Sequence, residues 1–190
     1  MILAHSLIGV PITHYLIKNK SEFYDKPLFT NLMYGVGIVA AVFPDFDLIL
    51  SFFINDLDHR KLISHSIVPY LVVFCFGILL SKLFRKYSSE IKILNLIFSI
   101  GVLSHLFLDA LVGGVSLFSP FTDITIGFPI FFNYTTDFYT KYFTSFYFLL
   151  EIPLMAYSVY SIIKLKNYIS VVTLPFLFLI TAIIMVFSNF

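Results

Sequence analysis

Four groups of side chains in this sequence have the types and spacing that can hold a divalent metal ion. They are His5; Asp45 and Asp47 in Pro44-Asp45-Phe46-Asp47; His59 and His65 in the stretch that also carries Arg60; and His105 with Asp109. Neutral imidazole nitrogens and carboxylate oxygens are the ligands that zinc and related divalent ions take. On a helix, positions i and i+4 share a face, so His105 and Asp109 stand about one turn apart. Each group alone has a plainer reading: a His–Asp hydrogen bond between helices, a helix-ending turn after Pro44, loop histidines, an interfacial His5. Together they draw in four of the five histidines of the chain. That gathering favours a metal site.

The elements that position these groups are apolar. The chain has 190 residues, of which 59% are hydrophobic and 12% charged, with 24 phenylalanines and a mean hydropathy of +0.94. A soluble domain carries roughly 25% charged residues, whereas a bilayer span needs about 20 apolar ones in a row. The expected class is all-α: a polytopic integral membrane protein of five to six transmembrane helices, with an irregular or re-entrant segment after the fourth. Continuous rather than alternating apolar runs argue against a barrel. The spans are expected at about 1–17, 28–43, 67–84, 93–115, 143–163 and 169–187. The first could pass for a signal peptide but lacks a positive n-region and a small-residue cleavage site. Residues 48–57 are too few to cross, and 116–132 are punctuated by Gly and Pro. Gly35 and Gly37 suit close helix approach, and Ser66 suits the N-cap of the third span. No repeat divides the chain, so 1–190 reads as one transmembrane domain with a metal-site core at about 1–125 and accessory helices at about 140–190. A net charge of +1 offers nothing to nucleic acid. The single Cys75 leaves no disulfide or thiol cluster within the chain.

Orientation follows from lysine and arginine. Loops 18–27, 82–92 and 164–166 hold nine of the twelve, leaving Arg60, Lys61 and Lys141 for the other side. The positive-inside rule then puts the N-terminus and residues 44–66 outside the cytoplasm. With six spans, His5, Asp45, Asp47, His59, His65, His105 and Asp109 all fall on that extracytoplasmic face. His14 falls toward the other half. A charged side chain at the bilayer centre costs about 2.5–3.5 kcal/mol on insertion scales, so it normally has a partner or a function.

His5, Pro44-Asp45-x-Asp47, His59-Arg60-x4-His65-Ser66, His105-x3-Asp109, Gly114-Val115 and Pro120-Phe121 together resemble the YdjM-like family of membrane-bound metal-dependent hydrolases. The likeness covers about 1–125 and departs at Leu62, where that loop usually has glycine, and at Ser64, where it usually has threonine. A fainter similarity, in the order His5, Asp45, His59, His105, Asp109, is to zinc-dependent phospholipase C and P1-type nucleases. Those enzymes hydrolyse phosphoesters at a trinuclear zinc centre. After Asp109 no histidine remains here for their later ligands, which limits the expectation to one or two ions, zinc first and manganese second.

These resemblances imply a division of labour. Asp45, His59, His105 and Asp109 would hold one ion. Asp109 would bridge to a second held by His5, with Asp47 or His65 as further candidates. Asp47 and His65 are alternatively a general base or hydrogen-bonded support, and Arg60 would stabilise phosphoryl charge or anchor at headgroups. Asp56, Asp58, Asp123 and Asp137 read as solvated loop residues. No HExxH, GxSxG or P-loop is present. The expectation is a hydrolase, with phosphoric esters favoured, acting on a lipid or lipid-linked phosphate, with membrane lipids as its surroundings. The competing class is a divalent-metal-binding structural protein or transporter without turnover. Transport wants ligands through both membrane halves, and the cytoplasmic half offers only His14 and Glu151.

Overall fold

A computed structural model describes residues 4–47, 61–127 and 144–165. These residues are mostly helical. The helices are α1 (Ala4–Ile17), α2 (Ser21–Tyr24), α3 (Pro27–Val42), α4 (Val68–Leu83), α5 (Ser88–Val112) and α6 (Phe146–Leu165). Short 3-10 turns follow α3 (Phe43–Asp47), precede α4 (Ile63–His65) and precede α5 (Arg85–Tyr87). No strand occurs among the described residues; Val115 and Ile126 form an isolated antiparallel bridge.

Local chemistry sets the boundaries. Pro27 stands in the first turn of α3, where its missing N–H is no loss. At the far end Pro44 has no amide to continue the ladder, and the chain tightens into the turn that carries Asp45 and Asp47. The hydroxyl of Ser66 accepts the Val68 N–H at 3.1 Å, so Ser66 supports the start of α4 although Ile67 is the capping residue by backbone position.

α1, α3 and α5 pack around small residues. A Cβ on Gly9 would collide with the backbone of Gly37, and one on Gly37 with the Thr13 hydroxyl and the Gly9 carbonyl. A Cβ on Gly101 of α5 would lie 2.7 Å from the Ala40 Cβ of α3. The three backbones therefore approach closely, as small residues allow in membrane helices. Gly35 has nothing within 4 Å of its virtual Cβ; of the two glycines expected at a helix contact, Gly37 makes it and Gly35 does not. Below the crossing, Val10, Ile17, Met33, Tyr34, Ile38, Ile93, Ile97 and Ile162 form the main buried cluster with Phe23. On α4, Asn95 of α5 reaches across to the Phe74 carbonyl at 3.0 Å.

Two helical stretches among the described residues, Pro27–Asp47 and Arg85–Val112, are long and apolar enough to cross a membrane. They correspond to the second and fourth expected spans. Leu7–Ile17 and Val68–Leu83 are shorter apolar helices. α4 buries only Tyr70 and Ser81 and exposes Leu71, Val72, Phe76, Leu79 and Leu83. An apolar surface of that extent suits lipid better than water. The expected sixth span and the short segment 48–57 lie outside the described residues. The expected irregular stretch 116–132 is described to residue 127, where it runs without regular structure apart from the single bridge.

Candidate metal centre

Three separate parts of the chain bring their side chains to one point. The turn after α3 supplies Asp45 and Asp47, the turn before α4 supplies His65, and the last turns of α5 supply His105 and Asp109. The close α3–α5 crossing makes this possible. It brings the His105 ring near enough for its Nδ1 to donate to the Ala41 carbonyl of α3 at 2.8 Å. A carbonyl only accepts, so Nδ1 carries the proton and Nε2 points into the cluster.

The turn bearing His65 is pinned from two sides. The Tyr70 hydroxyl donates to the Ser64 carbonyl at 2.6 Å. From the chain after α5, the Leu117 carbonyl accepts the Ile67 N–H at 2.9 Å, and the Ser119 carbonyl accepts the Ser66 hydroxyl at 2.7 Å. Gly114 (φ 80°) and Gly127 (φ 139°) let that returning segment fold back, a backbone region costly for other residues. His65 Nδ1 then donates to Asp47 Oδ2 at 3.0 Å, and the Ser64 hydroxyl donates to the same oxygen.

Four ligand atoms converge from Asp45, His65, His105 and Asp109, all within 4.8 Å of one another. His65 Nε2 stands 3.5 Å from Asp45 Oδ1 and 3.5 Å from Asp109 Oδ2. His105 Nε2 stands 3.5 Å from Asp45 Oδ1 and 3.4 Å from Asp109 Oδ2. These separations exceed the usual N–H···O distance of about 2.9–3.0 Å. They match ligand spacing around a small cation: a tetrahedron with bonds of about 2.1 Å has edges of about 3.4 Å. Nε2 of His105, fully buried, makes no hydrogen bond among the described residues. An imidazole lone pair facing two carboxylates repels both, and a cation there, a proton on the ring or a metal ion between the groups, removes the conflict. Burial disfavours the charged form of His65, but Asp109, Asp45 and Asp47 outweigh it and push its pKa up to about 11. The pocket thus draws positive charge. The donor set fits a divalent ion, with Asp47 fixing the His65 ring as carboxylates commonly do for metal-bound histidines.

The remaining expected residues fall as follows. His5 lies beside the cluster, its ring 4.2 Å from that of His105 and its Nε2 3.4 Å from Asp109 Oδ1. His59 and Arg60 lie outside the described residues. His65, expected as a ligand of a second ion or as base or support, stands among the residues of the four converging ligand atoms, while Asp47 stands behind it. His14 is remote and pairs its Nδ1 with the Tyr34 hydroxyl at 3.2 Å. Glu151, expected in the half of His14, is buried on α6 between Phe148 and Leu154, which pack with Ile8 against Leu108 and Val112 near the metal-ligand end of α5. Sequence reasoning missed the Ala41 carbonyl, which no side-chain pattern reveals. It also missed Tyr70 and Gly101, although Gly101 stands one turn before His105.

Neither curated proteins nor solved structures give a match to the chain, so the fainter similarity to phospholipase C and P1-type nucleases gains nothing from them. The YdjM inner membrane protein family matches residues 1–189, and the chain belongs to that family.

Proposed function

We propose that this protein is a membrane-embedded metal-dependent hydrolase, with five to six spans, acting on a phosphoric ester of a lipid or lipid-linked substrate at the extracytoplasmic face. The observation that carries the reading is the convergence of Asp45, His65, His105 and Asp109 at ligand spacing in a pocket with an excess of carboxylate. The chain's lysine and arginine distribution supports the orientation.

Asp45, His65, His105 and Asp109 would hold the ion. When bound, a divalent cation such as zinc or manganese supplies Lewis acidity toward a phosphoryl oxygen and lowers the pKa of a water. The protein's part is placement. Ala41 fixes the His105 ring, and Asp47 with Ser64 fixes that of His65. Asp45 is the most exposed of the four, its side chain 28% accessible against 5% for Asp109 and none for either histidine. Substrate and water therefore approach over Asp45. Phe43 and Phe46 are exposed beside it, as is Phe118 on the returning segment. Such a rim suits an amphiphile whose chains stay in lipid while its headgroup reaches the carboxylates.

The transport reading wants a second set of ligands across the membrane. The described residues supply His14 there, already bonded to Tyr34, which favours a one-sided site. The test is release of phosphate or headgroup from a panel of lipid phosphomonoesters and phosphodiesters in mixed micelles, by purified wild type and His105→Ala. Turnover by wild type, lost in the variant and after chelation, supports the reading. Equal activity of the two proteins, or none by metal-loaded wild type across the panel, would sink it.

A further inference from the structure

The end of the bundle away from the metal centre gathers charge of the opposite sign. His14 and Lys18 stand four residues apart at the end of α1 and share a face. Ile17, Tyr34 and Ile162 lie in one buried cluster, so the end of α6 that carries Lys164 packs beside the end of α1. His14 accordingly stands in the field of two ammonium groups, Lys18 from its own chain segment and Lys164 from α6. Each lysine also rests over a nearby tyrosine ring, Lys18 Nζ 4.3 Å from the centre of Tyr15 and Lys164 Nζ 5.8 Å from that of Tyr160.

Carboxylates at this end are engaged elsewhere. Glu90 accepts from Lys26 Nζ at 2.7 Å, and Glu22 accepts from the Ser89 hydroxyl at 3.2 Å. Among the described residues no carboxylate pairs with Lys18 or Lys164. Two ammonium groups drawn toward one imidazole repel each other, and an anion held by both removes the repulsion.

The surroundings are those of a membrane interface. Tyr15 is 69% exposed and Tyr160 56%, and Val159 and Ile163 are exposed on α6 next to Tyr160 and Lys164. Tyrosines concentrate at headgroup depth, and lysine heads reach the same level on apolar stems. A free phosphate would engage the lysines and leave Val159 and Ile163 bare, whereas a lipid covers them with its acyl chains.

We propose that Lys18 and Lys164, with Tyr15, Tyr160 and His14 around them, form a binding site for the phosphate of an anionic phospholipid. Basic pockets between membrane helices are a recurrent form of headgroup recognition. His14 stands nine residues beyond His5, about 14 Å of helix, so the site is separate from the metal centre and does not depend on turnover there.

The test is native mass spectrometry of the detergent-purified full-length chain titrated with phosphatidylglycerol or phosphatidylcholine. It compares wild type, metal-stripped wild type, Lys18→Gln/Lys164→Gln and Lys82→Gln/Lys92→Gln, each checked by gel filtration and circular dichroism. Wild type should prefer phosphatidylglycerol, and the loss of two headgroup contacts in Lys18→Gln/Lys164→Gln should weaken its binding about 30-fold. Metal-stripped wild type and Lys82→Gln/Lys92→Gln, which removes the same amount of charge, should keep the preference. Equal weakening in Lys82→Gln/Lys92→Gln would reduce the effect to net charge, and loss on metal removal would move the lipid to the metal centre. Either result overturns the proposal, as does a preference retained in Lys18→Gln/Lys164→Gln. Displacement of the lipid by an equal concentration of inorganic phosphate would mark a soluble-anion site and overturn the lipid assignment. Should the double variant fail to fold, Lys164→Gln alone decides: about fivefold weakening supports the site, and unchanged binding refutes it.

Discussion

His5 and His14 lie nine residues apart on α1 and have opposite surroundings. His5 is buried against His105 and Asp109, with its Nε2 at 3.4 Å from a carboxylate and in no hydrogen bond among the described residues. His14 is half-buried and shares an ordinary hydrogen bond with Tyr34. The two ends of the bundle differ in the same way. Near His14 the polar pairs sit at bonding distance, as in Lys26 to Glu90 at 2.7 Å and Thr30 to the Phe23 carbonyl at 2.6 Å. Near His5 imidazoles and carboxylates face each other at 3.4–3.5 Å. Hydrogen bonds hold both ends, but at the His5 end the rings of His65 and His105 are so bonded only through Nδ1, while the inward Nε2 atoms face carboxylates at a spacing that leaves room for an ion. Residue type alone does not separate the two cases; spacing and burial do.

That contrast can be broken most sharply at His105. His105→Ala removes a central ligand atom and the bond to Ala41, and metal content by elemental analysis should fall to background, whereas His14→Ala should leave it unchanged. An equal loss in both would mean that metal uptake has nothing to do with the cluster. Asp47→Asn sharpens the division between ligand and support. It keeps the volume but weakens the hold on the His65 ring, and metal affinity in a competition titration should drop about 10–100-fold with the helix content retained.

The packing that creates the cluster can be tested through two glycines of the same helix. Gly37→Leu forces a side chain into Thr13 and Gly9, and overpacking of this kind costs about 1–3 kcal/mol; it should lower the thermal midpoint and loosen metal binding together. Gly35→Ala faces open space and should leave both as they were. The smallest effect is expected at the satisfied end, where Tyr34→Phe loses one hydrogen bond worth about 1 kcal/mol. Thermal unfolding should register it while metal stoichiometry stays constant. A change in stoichiometry there would couple the two ends and defeat the contrast.

Much of the site was legible because its chemistry is carried by rare residues in a greasy sequence. His5, Asp45, Asp47, His65, His105 and Asp109 stand out against 12% charged residues, and all of them gather at one end of α1, α3 and α5. The roles were less legible. A sequence does not say which of Asp47 and His65 points inward, since that depends on Ser64, Tyr70 and the segment returning through Leu117. Glu151 was expected in the half of His14, yet its helix neighbours Phe148 and Leu154 pack against Leu108 and Val112, a pairing that counting residues along one helix does not give. Gly35 and Gly37 read alike, and only the rotation of α3 against α1 tells them apart.

By itself the sequence determined a helical chain with apolar spans, family membership and the inventory of ligand-competent side chains. These follow from composition, periodicity and local motifs, which act over a few residues. Tertiary structure decided which atoms face one another: the Ala41 carbonyl on His105, Asp47 behind His65, Asp109 with one oxygen on each side. Those pairings join residues 18 to 104 positions apart, and helix crossings set by Gly9, Gly37 and Gly101 bring them together. Spacing between non-local atoms is a property of packing, and packing is where the metal centre takes its shape.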